Sequence, residues 1–324
     1  MRASKLLGVV LFTGACVACG PPSVRQSLRE VGGADGFGPT AIRLIEIYSA
    51  DRDEPYAPLL RPSGVAVAPG GIFYLSDAGT GDIHIFEANG SYFGSCDSPR
   101  RGQVLPLDLA TLGFHLYVLD GARRRILRYN EEGAERGVLL DLNQLDEQNA
   151  IDPVAMAADR DGRIAICDAA SDRVIIVEPF LAFQQEIGEL GRLPGQLDDP
   201  RGVCFGRDGA LYVADRGNRR IQVFERSGLH LRTTQAIGGA NDDFVAPTDV
   251  ASDRFGNIYV ADPGRSAVVI LSPELEVLDV LGEDEMADDD LRRPVRCAVS
   301  DDDLLFVVDL GRNALMVFAL EFAE

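Results

Sequence analysis

Three charged residues, Asp108, Asp249 and Arg296, occupy one position of a repeated pattern that is otherwise filled by small residues, and Arg201 lies beside that position in its own repeat. The planar donors of a guanidinium group suit carboxylate and phosphate ligands. We therefore predict that Asp108, Arg201, Asp249 and Arg296 are ligand-binding residues near the mouth of a channel. The alternative that the pattern leaves open is that they are tolerated substitutions on a solvated rim.

The pattern that positions these residues occurs six times. Each unit opens at a proline and reaches an aspartate about fifteen residues later. The prolines are Pro62, Pro106, Pro153, Pro200, Pro247 and Pro294. The aspartates are Asp77, Asp120, Asp168, Asp215, Asp262 and Asp309. Subtraction of the proline numbers gives a spacing of 44 for the first pair and 47 for every later pair. Such a period indicates an array in which no single unit buries its apolar face alone.

Within the fourth repeat, four short runs rich in β-branched and aromatic residues alternate with Gly, Asp and Asn. The runs are Pro200–Phe205, Ala210–Asp215, Arg220–Phe224 and Leu229–Thr234. This composition predicts antiparallel strands joined by tight turns. Because the repeat region has no convincing amphipathic helix pattern, we predict an all-β fold, a six-bladed β-propeller with four antiparallel strands per blade.

The same runs resemble the NHL-repeat family, whose blades read Pro-x-Gly-Val-Ala-Val, Ile-Tyr-Val-Ala-Asp and Gly-Asn-x-Arg-Ile-x-Val-Phe. The matching segments are Pro62–Val67, Leu211–Asp215, Gly217–Phe224 and Ile258–Asp262, and Ile187–Gln196 is similar to the family's Gly-rich connector between blades. The resemblance covers the chain from the first repeat to its end. The resemblance implies a propeller fold with NHL-like blades. It does not identify a ligand.

The sixth repeat ends after only three strands, whereas Ala41–Tyr48 has strand character and precedes the first repeat. An open ring would leave an exposed strand edge, which is an aggregation hazard. We therefore predict that this N-terminal strand completes the last blade. The predicted organisation is a lipoprotein signal peptide over 1–18, a flexible tether over 19–40 and a propeller over 41–324, monomeric in itself.

The N-terminus begins with Arg2 and Lys5, continues with the apolar run Leu6–Phe12 and then changes to small residues. This order is typical of an export signal, and the run is too short to span a bilayer. The cysteines that follow resemble the lipobox of bacterial lipoproteins, which implies a diacylglyceryl group on a cysteine that becomes the new N-terminus. We predict Cys19 as the lipidated residue, with Cys16 as its rival and ordinary secretion as the alternative.

In a propeller, the link from the second to the third strand and the link between blades share one face, which we call the arginine face. The opposite face carries the tight turns and is called the turn face. Nine arginines are predicted on the arginine face: Arg123, Arg124, Arg125, Arg173, Arg216, Arg219, Arg220, Arg265 and Arg312. They could form a shallow site for an anionic ligand or a peptide carboxylate. The alternative is that each pairs with an aspartate of its own repeat.

The six repeated aspartates are interpreted as acceptors for backbone N–H groups in turns, because a group present in every blade is structural rather than catalytic. Related propellers imply metal chemistry. The peptide α-amidating lyases resemble this fold and bind zinc through converging histidines, and gluconolactonase-like propellers hold a divalent metal with Glu, Asn and Asp. Here His84, His115 and His230 belong to different blades, and no glutamate or asparagine stands beside Asp108 and Asp249. We therefore expect no metal, no cofactor and no catalytic residue.

The chain has a net charge of −20, which repels phosphate backbones and disfavours a nucleic-acid partner. Its 46% hydrophobic residues are enough for a sizeable core. Cys167, Cys204 and Cys297 replace small residues in strand positions and are interpreted as small apolar residues, and no cysteine spacing resembles a zinc site.

These observations lead to the hypothesis of a non-enzymatic propeller, held by lipid at the bacterial cell envelope, that binds a protein, peptide or glycan. The alternative hypothesis is a metal-dependent lyase or lactonase that acts in the central channel.

The lipid anchor can be tested by metabolic labelling with a radioactive fatty acid. We expect label on the wild-type protein and on Cys16→Ala, and none on Cys19→Ala, because only one thiol can accept the diacylglyceryl group. Label that survives Cys19→Ala and disappears with Cys16→Ala would assign the other cysteine.

Overall fold

Six antiparallel sheets stand around a central channel in this computed structural model, which is therefore a six-bladed β-propeller. The innermost strand of each sheet contacts the innermost strand of the next, and the last sheet contacts the first. Both the all-β class and the blade number predicted above are confirmed. The described residues are 28–30, 38–49, 56, 58–97, 104–145, 151–178, 183–234, 244–282 and 290–322.

Each of the first three blades has four strands, numbered from the channel outward. Blade 1 consists of β3 (Pro62–Val67), β4 (Phe73–Asp77), β5 (Asp82–Phe86) and β6 (Tyr92–Ser95). Blade 2 consists of β7 (Pro106–Leu112), β8 (His115–Asp120), β9 (Arg125–Asn130) and β10 (Glu135–Asp141), followed by a 3-10 turn over Leu142–Gln144. Blade 3 consists of β11 (Pro153–Ala158), β12 (Ile164–Asp168), β13 (Arg173–Glu178) and β14 (Phe183–Ile187).

The next two blades repeat this order, and the last differs at its outer edge. Blade 4 consists of β15 (Pro200–Phe205), β16 (Leu211–Asp215), β17 (Arg220–Phe224) and β18 (His230–Thr233). Blade 5 consists of β19 (Asp249–Ser252), β20 (Ile258–Asp262), β21 (Ala267–Leu271) and β22 (Val277–Leu281). Blade 6 consists of β23 (Pro294–Val299), β24 (Leu304–Asp309), β25 (Ala314–Glu321), then β2 (Ala41–Tyr48) and β1 (Leu28–Glu30).

The core lies between neighbouring blades, so that each interface uses one side of two sheets. Between blades 3 and 4, for example, Ile176 belongs to the same buried cluster as Leu211 and Phe224. This arrangement explains why the second strands read as unbroken apolar runs: both of their faces are covered. Cys167 and Cys297 are buried and Cys204 is half-buried, all as free thiols, as expected for small apolar residues.

The N-terminal strand closes the ring. β2 pairs antiparallel with β25 over its whole length, with Ile42 opposite Leu320 and Leu44 opposite Phe318. The predicted closure of the last blade is thus confirmed. The free side of β2 pairs in turn with β1, so three residues of the predicted tether form a fifth strand. This extension follows from the unpaired N–H and C=O groups that β2 would otherwise present.

The signal peptide, Cys16 and Cys19 lie outside the described residues. Within the described part of the chain, no helix is long and apolar enough to cross a membrane.

The six repeated aspartates have no exposed surface, and they connect strands rather than face the channel. In blade 1, Asp77 accepts hydrogen bonds from the backbone N–H groups of Leu60 and Arg61, at 2.6 and 3.0 Å, and from that of Gly79 at 2.7 Å. One carboxylate therefore ties the end of the second strand to the segment entering the innermost strand. This structural role agrees with the interpretation made from the sequence.

The second oxygen of each aspartate has one of two kinds of partner. In blades 2, 3 and 4, it accepts a hydrogen bond from the Nε of an arginine five residues later, at 3.0, 3.0 and 2.7 Å; the arginines are Arg125, Arg173 and Arg220. In blades 1, 5 and 6, that later position holds Asp82, Ala267 and Ala314, and the oxygen accepts a second backbone N–H instead. Three of the predicted arginines thus pair within their own repeats.

Leu44→Ala tests the closure. The side chain has no exposed surface, and removing it should lower the free energy of unfolding by about 2–5 kcal/mol. The matched control is Thr40→Ala at the exposed start of the same junction, for which we expect about 1 kcal/mol or less. Both are measured by urea denaturation. Equal stability of Leu44→Ala and wild type would contradict closure by this strand.

Candidate functional site

One position near the start of each innermost strand lines the channel. Where the strand begins at proline, this position is the third residue of the strand. Around the ring it holds Gly64, Asp108, Ala155, Gly202, Asp249 and Arg296. In five blades the sheet register shifts directly before this position. Such a bulge changes the direction of a side chain, and here it turns the residue at this position toward the channel. From blade to blade around the ring, the order glycine, aspartate and then Ala155 or Arg296 occurs twice. The two aspartates therefore lie in opposite blades, blade 2 and blade 5.

In the blade before each aspartate, the channel position holds a glycine for a steric reason. A Cβ on Gly64 would lie 3.0 Å from the Cα of Asp108, and a Cβ on Gly202 would lie 2.4 Å from the Cα of Asp249. The approach at Gly202 is closer than real side chains make to backbone, so only glycine fits there, and at Gly64 a larger residue would force the neighbouring strand to shift. The two glycines therefore determine how deep the two aspartates sit in the channel.

Asp108 and Asp249 make equivalent contacts. Each accepts a hydrogen bond at 2.8 Å from a backbone N–H of the next blade, Asp108 from Met156 and Asp249 from Cys297. Only 5% and 6% of their surfaces are exposed. The two aspartates are thus buried in the channel and join adjacent blades, and the alternative of an exposed, solvated rim is wrong for them.

Arg296 crosses the channel from blade 6. Its Nη2 donates to the carbonyl oxygen of Val154 in blade 3 at 2.6 Å, and its Nη1 donates to that of Thr248 in blade 5 at 3.1 Å. Its Nε lies 3.5 Å from Oδ1 of Asp108 in blade 2. The small side chain of Ala155 stands at the channel position of the blade it reaches, which leaves room for the guanidinium group. Arg296 therefore divides the channel.

Burial and charge shift the pKa values of these groups. Burial raises the pKa of Asp249, Arg296 lowers it, Asp108 raises it again, and the result is about 7. The pKa of Asp108 is also raised, chiefly by burial, against the opposing attraction of Arg296. Burial disfavours the charged form of Arg296, but Asp108 and Asp249 outweigh this effect and raise its pKa. The channel thus holds a permanent cation beside a carboxyl group that titrates near neutrality.

The channel opens into one cavity on each side of Arg296. On the arginine face, a cavity of 320 Å³ is lined by Arg201 and Arg296. On the turn face, a cavity of 210 Å³ is lined by Asp108 and Asp249. The four predicted ligand residues are therefore distributed over two cavities. Arg201 is itself paired, with its Nε 2.6 Å from Oδ1 of Asp199.

The turn-face cavity continues into an outer cavity of 360 Å³, with which it shares Ala158, Phe205, Ser252 and Val299. Charged residues of the tight turns line the outer cavity, and an ion pair of 3.1 Å between Arg207 and Asp301 joins blades 4 and 6 there. A small polar molecule entering from this face would reach Asp108 and Asp249.

On the arginine face, most of the nine predicted arginines have acceptors. Besides the three already described, Arg123 and Arg216 form ion pairs with Asp120 and Asp199. Arg312 donates to the carbonyl oxygen of Asp290 at 2.7 Å. This geometry favours the pairing alternative, and the anionic ligand stays a prediction.

The metal sites of related propellers do not fit the residues found here. His84, His115 and His230 lie on β5, β8 and β18 in three blades, and the described residues contain no group of three or more His, Cys, Asp or Glu that could hold a metal ion. The channel offers two aspartates, and the guanidinium group of Arg296 already lies against Asp108.

Comparison with known proteins supports the fold. The model of the NHL repeat matches residues 197–224, which form most of blade 4. A search of curated proteins gave no match to this chain.

Several solved structures share the fold at low sequence identity. A gluconolactonase from Xanthomonas campestris is 17% identical with a TM-score of 0.69, over 94% of this chain and 99% of its own. Virginiamycin B lyase from Staphylococcus aureus, in a complex with quinupristin, is 11% identical with a TM-score of 0.62, over 91% and 100%. A luciferin-regenerating enzyme is 14% identical with a TM-score of 0.59, over 86% and 97%.

These neighbours correct one expectation. The expectation of a non-enzymatic protein rests on the lack of a recognisable catalytic group, whereas these structures, which share the fold over nearly the whole chain, are enzymes by name. The carboxyl group that titrates near neutrality acquires that property from strands of several blades, which no local motif records.

The raised pKa of Asp249 predicts a specific pH dependence of stability. Since the pKa in the folded protein lies above the ordinary value of 3.8, the stabilisation associated with this group is complete below pH 3.8 and is lost as the pH rises through about 7. Asp249→Asn, which cannot ionise, should therefore gain on the order of 3 kcal/mol relative to wild type between pH 4 and 8.

The measurement is the free energy of unfolding in urea at each pH for both proteins. Arg296 and Asp108 face the same group, and Asp108 has a raised pKa of its own, so Asp108→Asn is also measured to separate its titration from that of Asp249. The control is Thr40→Ala, which removes no titratable group and whose difference from wild type should not change with pH. A constant difference for Asp249→Asn would show that Asp249 is ionised throughout.

Proposed function

We propose that this protein is an enzyme of the lactonase or lyase type that cleaves a carbon–oxygen bond of a small polar substrate in the turn-face cavity. The observation that carries the proposal is Asp249, a carboxyl group that lines this cavity and has a pKa of about 7. Such a group can take up and return a proton at neutral pH. Perturbed carboxyl groups in cavities are concentrated at functional sites.

In the lactonase reaction, ionised Asp249 takes a proton from water while the water oxygen bonds to the carbonyl carbon of the substrate. The bond from that carbon to the ring oxygen then breaks, and the ring oxygen receives the proton from Asp249. In the lyase reaction, Asp249 takes the proton from carbon, the electron pair forms a double bond, and the departing oxygen receives the proton. In both cases Asp249 returns to its starting form.

Asp108 is assigned a positioning role. Its negative charge raises the pKa of Asp249, and it lies 3.5 Å from the guanidinium group of Arg296. Without this charge, Asp249 would lie beside an uncompensated cation and would be a weaker base. The cavity of 210 Å³ has room beside Asp249 for part of a small polar substrate.

The enzyme neighbours support the class of reaction, and the mechanism uses only residues of this chain. The position of the protein at the cell envelope, with a lipid on Cys19, is proposed from the N-terminal sequence alone.

The test is hydrolysis of a panel of small lactones and esters by protein treated with a chelator, followed at constant pH by acid release. We expect Asp249→Asn to lower kcat/KM at least about 100-fold, whereas Asp302→Asn keeps the wild-type value. The wild-type rate should rise with pH through about 7 as Asp249 ionises. Wild-type protein that hydrolyses nothing in the panel would contradict the lactonase reaction, and full activity of Asp249→Asn would contradict the role of Asp249 as the base.

A further inference from the structure

The N–H groups of Arg296 face oxygen atoms of several blades, which together form what we call the cage. Its Nη1 has the carbonyl oxygens of Thr248, Val295 and Arg201 at 3.1, 3.4 and 3.5 Å, and its Nη2 has that of Val154 at 2.6 Å. Asp108 lies against its Nε. Blades 2 to 6 all contribute to these contacts.

The cage is a property of the backbone rather than of Arg296. The carbonyl oxygens belong to residues at or beside the starts of innermost strands, whose positions are determined by the repeated aspartates and by strand pairing. The carboxylates are equally constrained, since Asp108 and Asp249 each accept an N–H from the next blade. Removal of the guanidinium group would therefore leave converging oxygens that have no cation.

Carboxylate and carbonyl oxygens are the ligands that Ca²⁺ takes up, usually six to eight of them in flexible geometry. The carboxylate of Asp108 and the four carbonyl oxygens form a set of this kind, and Asp249 adds a second negative charge nearby. In the native protein, one guanidinium charge faces two carboxyl groups, whereas a divalent ion would balance both in their ionised form. Charge and ligand type thus agree.

We infer that Arg296 fills a cation site built into the channel and occupies the place of a divalent ion. Unlike the metal-dependent propellers considered above, the native protein then needs no metal there, and loss of the guanidinium group opens the site to Ca²⁺. The inference concerns ion binding and does not depend on the proposed catalytic activity.

The experiment compares melting temperatures after chelator treatment, with and without 1 mM CaCl₂. Wild type should change by less than about 1 °C. Arg296→Asn should melt lower than wild type without Ca²⁺ and rise by about 5 °C when Ca²⁺ is added, as expected for an ion at about a hundred times its dissociation constant. Calorimetric titration of this variant should give one bound Ca²⁺ per chain.

Two further variants make the result specific. Arg296→Lys keeps the positive charge and should not respond to Ca²⁺. Adding Asp249→Asn to Arg296→Asn removes one carboxylate and should abolish the response. A Ca²⁺ response of wild type that Asp249→Asn removes would overturn the inference. So would an Arg296→Asn protein that ignores Ca²⁺ or stays unfolded in 10 mM CaCl₂.

Discussion

The propeller depends on a hydrogen bond that it repeats six times, from backbone N–H groups before the innermost strand to the aspartate that ends the second strand. The aspartates have no exposed surface, and a buried carboxylate is tolerated only when its oxygens are satisfied. Each therefore holds the arginine-face end of its blade in one arrangement. The channel-lining position lies only a few residues after these N–H groups in the sequence. The same bonds therefore determine which side chains meet on the axis.

On that axis the structure concentrates charge. Arg296 extends from one blade to the opposite one and separates two cavities, so that Asp108 and Asp249 are reached from the turn face only. The same guanidinium group is the cation near both carboxyl groups. Burial raises the pKa of Asp249 to about 7. Arg296 therefore separates the cavities and opposes the rise of the pKa of Asp249 that burial causes.

The fold was predictable because its determinants are local and repeated: the proline, the aspartate and the strand runs recur at nearly constant spacing. The channel residues were also found, since Asp108, Asp249 and Arg296 interrupt a small-residue position. Their arrangement was not predicted, because it depends on a residue in the opposite blade. Only Ala155, across the ring, explains where the side chain of Arg296 can go. The pairing of Arg125, Arg173 and Arg220 could have been predicted from their constant distance of five residues from the repeated aspartates.

The pairing of β2 with β25 also has a consequence for biosynthesis. β2 precedes the six repeats in the chain and β25 lies in the last of them, so the ring cannot close until β25 has been synthesised. Until then, the apolar side of blade 1 that will pack against blade 6 has no partner. The edges of β2 and β25 that will pair with each other also stay open. Such long-range pairing slows folding and favours association between incomplete chains. A cell that makes this protein must therefore keep the nascent chain apart from its copies until its two ends have met.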